Sequence, residues 1–130
     1  RALTLPELEW MHIHKTGALI RAAVALGARC GARRADDELD HLDHYAKCVG
    51  LAFQVVDDIL DCEAPTATLG RTAGKDAAQD KPTYVSVVGL ARAKEMALEL
   101  KAQAERALAA IPGGALRLRE IAEFIVLRRF

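Results

Sequence analysis

The most informative part of this sequence is residues 51–61, which read Leu-Ala-Phe-Gln-Val-Val-Asp-Asp-Ile-Leu-Asp. At about 100° per residue in an α-helix, the polar side chains share one arc of roughly 100°, and the apolar side chains fill the rest. We call these polar residues the acidic stripe: Gln54, Asp57, Asp58 and Asp61. Because a helix that is apolar around most of its circumference is buried, the acidic stripe is predicted to face an internal cleft.

The carboxylates of the acidic stripe predict a cation site. Carboxylates about 6 Å apart repel by about 3 kcal/mol at an effective dielectric constant near 20, unless a cation lies among them. Magnesium is the natural candidate, since it typically uses one or two protein carboxylates and takes its other ligands from water and phosphate. The stripe has no His or Cys ligand, and the four histidines of the chain are predicted to be surface residues. The alternative is a solvated acidic face, which the apolar remainder of the helix disfavours.

Composition and charge exclude several classes of partner. The chain has 130 residues, and 52% are hydrophobic, enough to bury a core. Its 18 basic and 18 acidic side chains balance, so we expect no nucleic-acid partner and no attraction to an anionic membrane. Residues 1–130 contain no apolar run near the ~18 residues of a membrane span and no charged-then-apolar segment, so we expect neither a span nor a leader. Three cysteines without zinc-ligand spacing fit a reducing compartment, so the expected location is the cytoplasm.

Helical periodicity and stop signals predict an all-α chain. A capping box at Thr4 and Glu7 begins the first helix. A strand remains the alternative for residues 84–88, which are rich in β-branched side chains. The predicted order is helix 5–26, helix 36–62, a loop over 63–81, a short helix after Pro82, helix 91–111 and helix 115–128.

Basic side chains near the acidic helix are candidates for binding an anion. Lys15 and Thr16 are predicted to lie mid-helix, where Gly17 would let another chain or a ligand approach the backbone. An ammonium and a hydroxyl there could bind phosphate oxygens; the alternative is a lysine that reaches solvent and a threonine bonded to its own helix. Arg71, Lys75 and Lys81 lie on or beside a Gly-rich loop and could close over an anion held by metal on the acidic helix; the alternative is that they are solvated loop residues. The glycine spacing is not that of a P-loop, so no nucleotide site is implied.

Four motifs occur in a family order along nearly the whole chain: His14-Lys15-Thr16-Gly17, residues 53–61, Thr68-Leu69-Gly70-Arg71 and Lys81-Pro82-Thr83-Tyr84. Taken together they closely resemble the C-terminal portion of trans-isoprenyl diphosphate synthases of the bacterial farnesyl diphosphate synthase type. The resemblance implies an all-α isoprenoid synthase fold. Residues 1–130 would be the C-terminal helices of a larger helical bundle, in one polyprenyl synthase domain whose N-terminal part is absent from this chain.

The resemblance also implies an activity. In this family an allylic diphosphate, dimethylallyl or geranyl, ionises with the help of Mg²⁺. The double bond of isopentenyl diphosphate then attacks the cation, and proton loss gives farnesyl diphosphate. Asp57 is implied as a direct magnesium ligand, with Asp58 and Asp61 acting directly or through water. Lys15, Arg71 and Lys81 would contact the allylic diphosphate, and Thr16 and Gln54 would lie beside the developing cation and its diphosphate. Arg71 replaces the lysine usual in the family, and a homodimer is expected.

Departures from the family pattern limit what the chain can do alone. The first aspartate-rich motif and the isopentenyl diphosphate site lie upstream, so we expect the 130-residue chain to need its N-terminal half and to be inactive without it. Phe130 stands where some relatives end in a basic residue. The residues that usually set product length also lie upstream, which leaves that length open.

A class I terpene cyclase is disfavoured because its second metal motif is not found. A decayed helical partner is disfavoured by the joint presence of Lys15, Gln54, Asp57 and Lys81.

Overall fold

The computed structural model describes residues 2–31, 34–63, 82–113 and 115–128, and within these ranges it contains six α-helices and no strand. They are α1 (Leu5–His14), α2 (Thr16–Cys30), α3 (Asp36–Glu63), α4 (Tyr84–Val88), α5 (Leu90–Ala109) and α6 (Leu116–Leu127). The prediction of an all-α chain is confirmed. None of the described helices combines the length and the apolar character that crossing a bilayer requires.

The single helix predicted over residues 5–26 is wrong, because the chain forms two helices that meet at Lys15. The backbone of Lys15 leaves the helical region, with φ −109° and ψ −98°, and its N–H donates to the carbonyl oxygen of His12 at 3.3 Å. A Cβ on Gly17 would lie 3.1 Å from that same oxygen, so the tight junction favours glycine. The helix after the break runs past Gly27 instead of ending there. Apolar spacing continues across the junction, which is why periodicity did not reveal it.

The remaining helices agree with the predicted elements to within two residues. The long helix predicted over 36–62 is observed as Asp36–Glu63, and the short helix α4 is formed in preference to a strand. Thr83 caps α4, since its hydroxyl accepts from the N–H of Ser86 at 3.0 Å and the Ser86 hydroxyl accepts from the Thr83 N–H at 2.9 Å. Gly89 then separates α4 from α5 with a φ of +87°, a conformation that glycine adopts without steric cost.

Helix α3 lies at the centre of the fold. It packs most extensively against α5, and it also contacts α1, α2, α4 and α6. One buried cluster surrounds its N-terminal half and includes Tyr45, Leu108 and Ile111. A second cluster surrounds its C-terminal half and includes Leu8, Val55 and Tyr84. The acidic stripe therefore belongs to a helix that is enclosed along most of its length.

Tyr45 gives a test of this packing. Its ring is buried, its hydroxyl donates to the carbonyl oxygen of Leu118 in α6 at 2.7 Å, and burial raises the pKa of Tyr45 to about 12. We expect Tyr45→Phe to lower the free energy of unfolding by about 1–2 kcal/mol, because the buried hydrogen bond from the phenol to the Leu118 carbonyl is lost.

The same residue predicts a pH dependence. Since the phenol ionises near pH 10 in the unfolded chain, the folded state retains a proton that the unfolded state has lost between pH 10 and about 12. This contribution to stability is fully present below pH 10 and is lost as the pH rises towards 12. Urea unfolding at pH 9, 10 and 11 should show a steeper decline for the wild type than for Tyr45→Phe. Equal slopes for the two proteins would contradict the assignment.

Candidate functional site

The acidic stripe is sheltered at two of its three carboxylates. Asp58 and Asp61 are only 7% and 8% exposed, whereas the side chain of Asp57 is 42% exposed. The expectation that the stripe is sheltered from bulk water therefore agrees with the burial of Asp58 and Asp61, and the internal cleft that the stripe was predicted to face stays a prediction. Asp57 lies at the open edge, where an ion or a ligand can approach it.

Asp58 joins helices α3 and α4. Its Oδ1 accepts a hydrogen bond from Nε2 of Gln54 at 3.1 Å, and its Oδ2 accepts from the backbone N–H of Tyr84 at 2.9 Å. Tyr84 is the first residue of α4, where backbone N–H groups lack partners within the helix. The carboxylate of Asp58 thus fixes both the start of α4 and the amide of Gln54.

Tyr84 extends this network to α1. Its hydroxyl lies 3.2 Å from Nδ1 of His12, and the two rings are tilted with their centroids 5.2 Å apart. Burial raises the pKa of Tyr84, and the negative charges of Glu9 and Asp58 add to the effect, so the neutral phenol is strongly favoured. His12 is half-buried, so the prediction that every histidine is a surface residue is wrong at this position.

We expect Asp58→Asn to destabilise the protein, because an asparagine has one acceptor oxygen where Asp58 serves two donors. The loss should be about 1–2 kcal/mol in the free energy of unfolding, from weaker hydrogen bonds at the start of α4. Urea unfolding measures it, and Asp40→Asn is the matched control, since Asp40 is an exposed aspartate of the same helix. If the two variants were equally stable, Asp58 would have no structural role.

Asp57 is paired with the last described residue of the chain. Arg128 donates from one guanidinium nitrogen to Oδ1 of Asp57 at 2.5 Å and to the carbonyl oxygen of Phe53 at 3.1 Å. The guanidinium also lies over the ring of Phe53, 4.5 Å from its centroid, a distance typical of a cation–π contact. The end of α6 is therefore held against the acidic stripe.

Lys15 and Thr16 lie at the junction of α1 and α2 instead of mid-helix as predicted, and both are exposed. The junction meets α3 closely, because a Cβ on Gly50 would lie 3.5 Å from the Cα of Gly17. The residue that approaches the backbone of Gly17 is Gly50 of the same chain, whereas the prediction named another chain or a ligand, so that prediction is not tested. Gly50 shares the arc of the acidic stripe and precedes Asp57 by about 10 Å along the helix axis. The structure thus places Lys15 and Thr16 at one end of the stripe.

Arg71 and Lys81, the other two predicted contacts to diphosphate, lie outside the described residues, and their roles stay predictions.

Sequence reasoning missed His12, Tyr84 and Arg128 as parts of the site. Thr83 followed by Ser86 is a weak form of the capping-box pattern and could have marked the start of α4. Nothing in the sequence pairs Arg128 with an aspartate 71 residues earlier.

The residues of the stripe fit a magnesium ion. Across the described ranges, no group of three or more His, Cys, Asp or Glu side chains is arranged to hold a metal by itself. Magnesium does not need such a group, since one or two carboxylates with water and phosphate oxygens complete its shell. Asp57 is the carboxylate that an ion could reach most readily, because it is the most accessible of the three and both oxygens of Asp58 accept hydrogen bonds.

Comparison with known proteins identifies the family. A sequence profile described as polyprenyl synthetase matches residues 1–111, which include helices α1 to α5 and the acidic stripe. The chain belongs to the polyprenyl synthetase family. The resemblance that the motifs indicated is thereby confirmed.

Three relatives define this membership. A probable farnesyl diphosphate synthase of Sinorhizobium fredii is 51% identical over 116 residues, covering 85% of this chain. Geranylgeranyl pyrophosphate synthase 3 of Arabidopsis thaliana is 46% identical over 125 residues, covering 95%. The chain spans 34% of the length of each of these relatives. The crystal structure of a Helicobacter pylori geranyltransferase, complexed with magnesium and isoprenyl diphosphate, superposes with a TM-score of 0.75 at 30% identity. That match covers 96% of this chain and 41% of the geranyltransferase, so the helices adopt the isoprenoid synthase fold.

Proposed function

We propose that residues 1–130 form the C-terminal part of one polyprenyl synthase domain, and that their acidic stripe binds Mg²⁺ and the diphosphate of an allylic substrate. The observation that carries the proposal is the arrangement along α3. An accessible Asp57 lies beside an Asp58 that Gln54 and the Tyr84 N–H hold in place, and Lys15 and Thr16 lie at the other end. The magnesium and isoprenyl diphosphate named for the Helicobacter pylori geranyltransferase support it.

Each residue would contribute a simple electrostatic role. Bound magnesium would neutralise the charge that develops on a leaving diphosphate. Asp57 would supply an oxygen ligand, and Asp61 would add negative charge or a ligand through water. Lys15 and the hydroxyl of Thr16 would donate to phosphate oxygens, and Arg71 and Lys81 are proposed to do the same.

Gln54 would stabilise the allylic cation and not the leaving diphosphate. Its Nε2 donates to Asp58, which leaves the amide oxygen as the group able to face a developing allylic cation. A carbonyl dipole oriented before the reaction stabilises positive charge at low reorganisation cost. Asp58 would then be a positioning residue as well as a candidate magnesium ligand through water.

We propose farnesyl diphosphate as the product, made from dimethylallyl or geranyl diphosphate and isopentenyl diphosphate. The names of the Sinorhizobium fredii and Arabidopsis thaliana relatives divide between farnesyl and geranylgeranyl products, and the farnesyl relative has the higher identity. Chromatography of the products of the family-length protein would decide between fifteen- and twenty-carbon chains. A homodimer, a requirement for the N-terminal half and a cytoplasmic location belong to the same proposal.

The test of the binding site is a bisphosphonate titration of the family-length protein that contains residues 1–130. We expect calorimetry to show binding with Mg²⁺ present and none in its absence. A protein that binds no bisphosphonate under either condition would have a decayed site, and the proposal would be abandoned. In a separate assay the 130-residue chain alone should show no prenyl transfer, and measurable transfer would overturn its dependence on the N-terminal half.

A further inference from the structure

Arg128 is paired with one carboxylate oxygen of the candidate magnesium ligand Asp57. It follows the last residue of α6 in an extended conformation, with φ −62° and ψ 150°, and its side chain is only 15% exposed. Three contacts hold it on α3: the carboxylate of Asp57, the carbonyl oxygen of Phe53 and the face of the Phe53 ring. A guanidinium with this many contacts is more than a solvated surface charge.

The contact of Arg128 is nevertheless incomplete. Its Nε is buried and has no hydrogen-bond partner in the described part of the chain. A buried N–H without an acceptor costs free energy, so the guanidinium is held less tightly than in a fully satisfied pair. A cation that binds Asp57 more strongly can therefore displace the guanidinium of Arg128.

A divalent ion and the guanidinium would compete for Asp57. Both require its carboxylate oxygens, and two cations at one carboxylate repel each other. By linkage, the factor by which Arg128 stabilises the metal-free form equals the factor by which it weakens metal binding. Any ion bound directly to Asp57 therefore acts against the attachment of the α6 terminus.

We propose that Arg128 is the counter-ion of Asp57 in the metal-free protein, and that metal binding displaces it and releases the C-terminal end of α6 from α3. The inference rests on the proposed function, because it takes Asp57 as a metal ligand. It adds a conformational change, the release of the C-terminal end of α6, that accompanies metal binding.

The binding experiment uses Mn²⁺ as a paramagnetic probe on the 130-residue chain, with free ion measured by electron paramagnetic resonance. Arg128→Met keeps the apolar stem and removes the charge, so we expect about fivefold tighter Mn²⁺ binding than in the wild type. The Mn²⁺ affinity of Arg128→Lys should lie between those of the wild type and Arg128→Met. Arg117→Met is the control, since Arg117 lies near the start of α6, is 87% exposed and pairs with Glu120 instead of an aspartate of the stripe. Asp57→Asn should remove the binding in every background.

A second readout follows the end of the chain. Hydrogen exchange at residues 124–128 should accelerate when Mn²⁺ is added to the wild type and should already be fast in Arg128→Met. Unchanged or weaker Mn²⁺ binding in Arg128→Met, or no binding that depends on Asp57 in any variant, would overturn the inference. If the family-length protein still bound bisphosphonate with Mg²⁺, only this inference would fail, and the proposed function would stand.

Discussion

Asp57→Asn is expected to weaken magnesium-dependent bisphosphonate binding by the family-length protein by about 100-fold, because it removes the charge of a direct metal ligand. Asp57 is the most accessible carboxylate of the acidic stripe, and among the described residues it forms an ion pair with Arg128. Loss of a partly exposed ion pair changes the free energy of unfolding by about 1 kcal/mol or less. The variant should therefore fold normally while binding poorly.

The measurement is calorimetry at fixed Mg²⁺, with urea unfolding run in parallel. Asp40→Asn is the control for loss of one aspartate from α3, and it should bind as the wild type does. Binding by Asp57→Asn within threefold of the wild type would exclude Asp57 as a direct ligand. If Asp57→Asn lowered the free energy of unfolding strongly as well as weakening binding, the loss of binding would reflect damage to the fold.

Leu108→Ala is expected to produce the largest change in stability. Leu108 is fully buried in the cluster where α3, α5 and α6 meet, with Tyr45 and Ile111 among its neighbours. Removing a buried leucine side chain costs about 3–4 kcal/mol, from lost burial and from the cavity that remains. Because small domains are stable by only about 5–15 kcal/mol, this is a large fraction of the total.

Leu98→Ala is the matched control for this prediction. Leu98 lies on the same helix α5 but is 57% exposed, so its replacement should change the free energy of unfolding by about 0.5 kcal/mol or less. Chemical denaturation followed by circular dichroism measures both variants. A cost below about 1.5 kcal/mol at Leu108 would mean that the cluster is loosely packed or relaxes to fill the cavity.

Local signals in the sequence were sufficient to predict most of the helices. The capping box at Thr4 is present as predicted, with the Thr4 N–H donating to the carboxylate of Glu7 at 2.9 Å. The long helix α3 was predicted to within one residue, since its apolar side chains recur at helical spacing from the acidic start onward. The break at Lys15 was missed because it depends on a carbonyl of the preceding helix and leaves the apolar spacing intact.

The sequence by itself determined the helical class, the arc shared by Gln54 and the three aspartates, and the family, because helix periodicity and motif order are properties of neighbouring residues. Only the tertiary structure decided what each aspartate touches. Asp58 meets the N–H of Tyr84, 26 residues away, and Asp57 meets Arg128, 71 residues away. The physical reason is that a single helix fixes the direction of a side chain, whereas its partner depends on how several helices pack together.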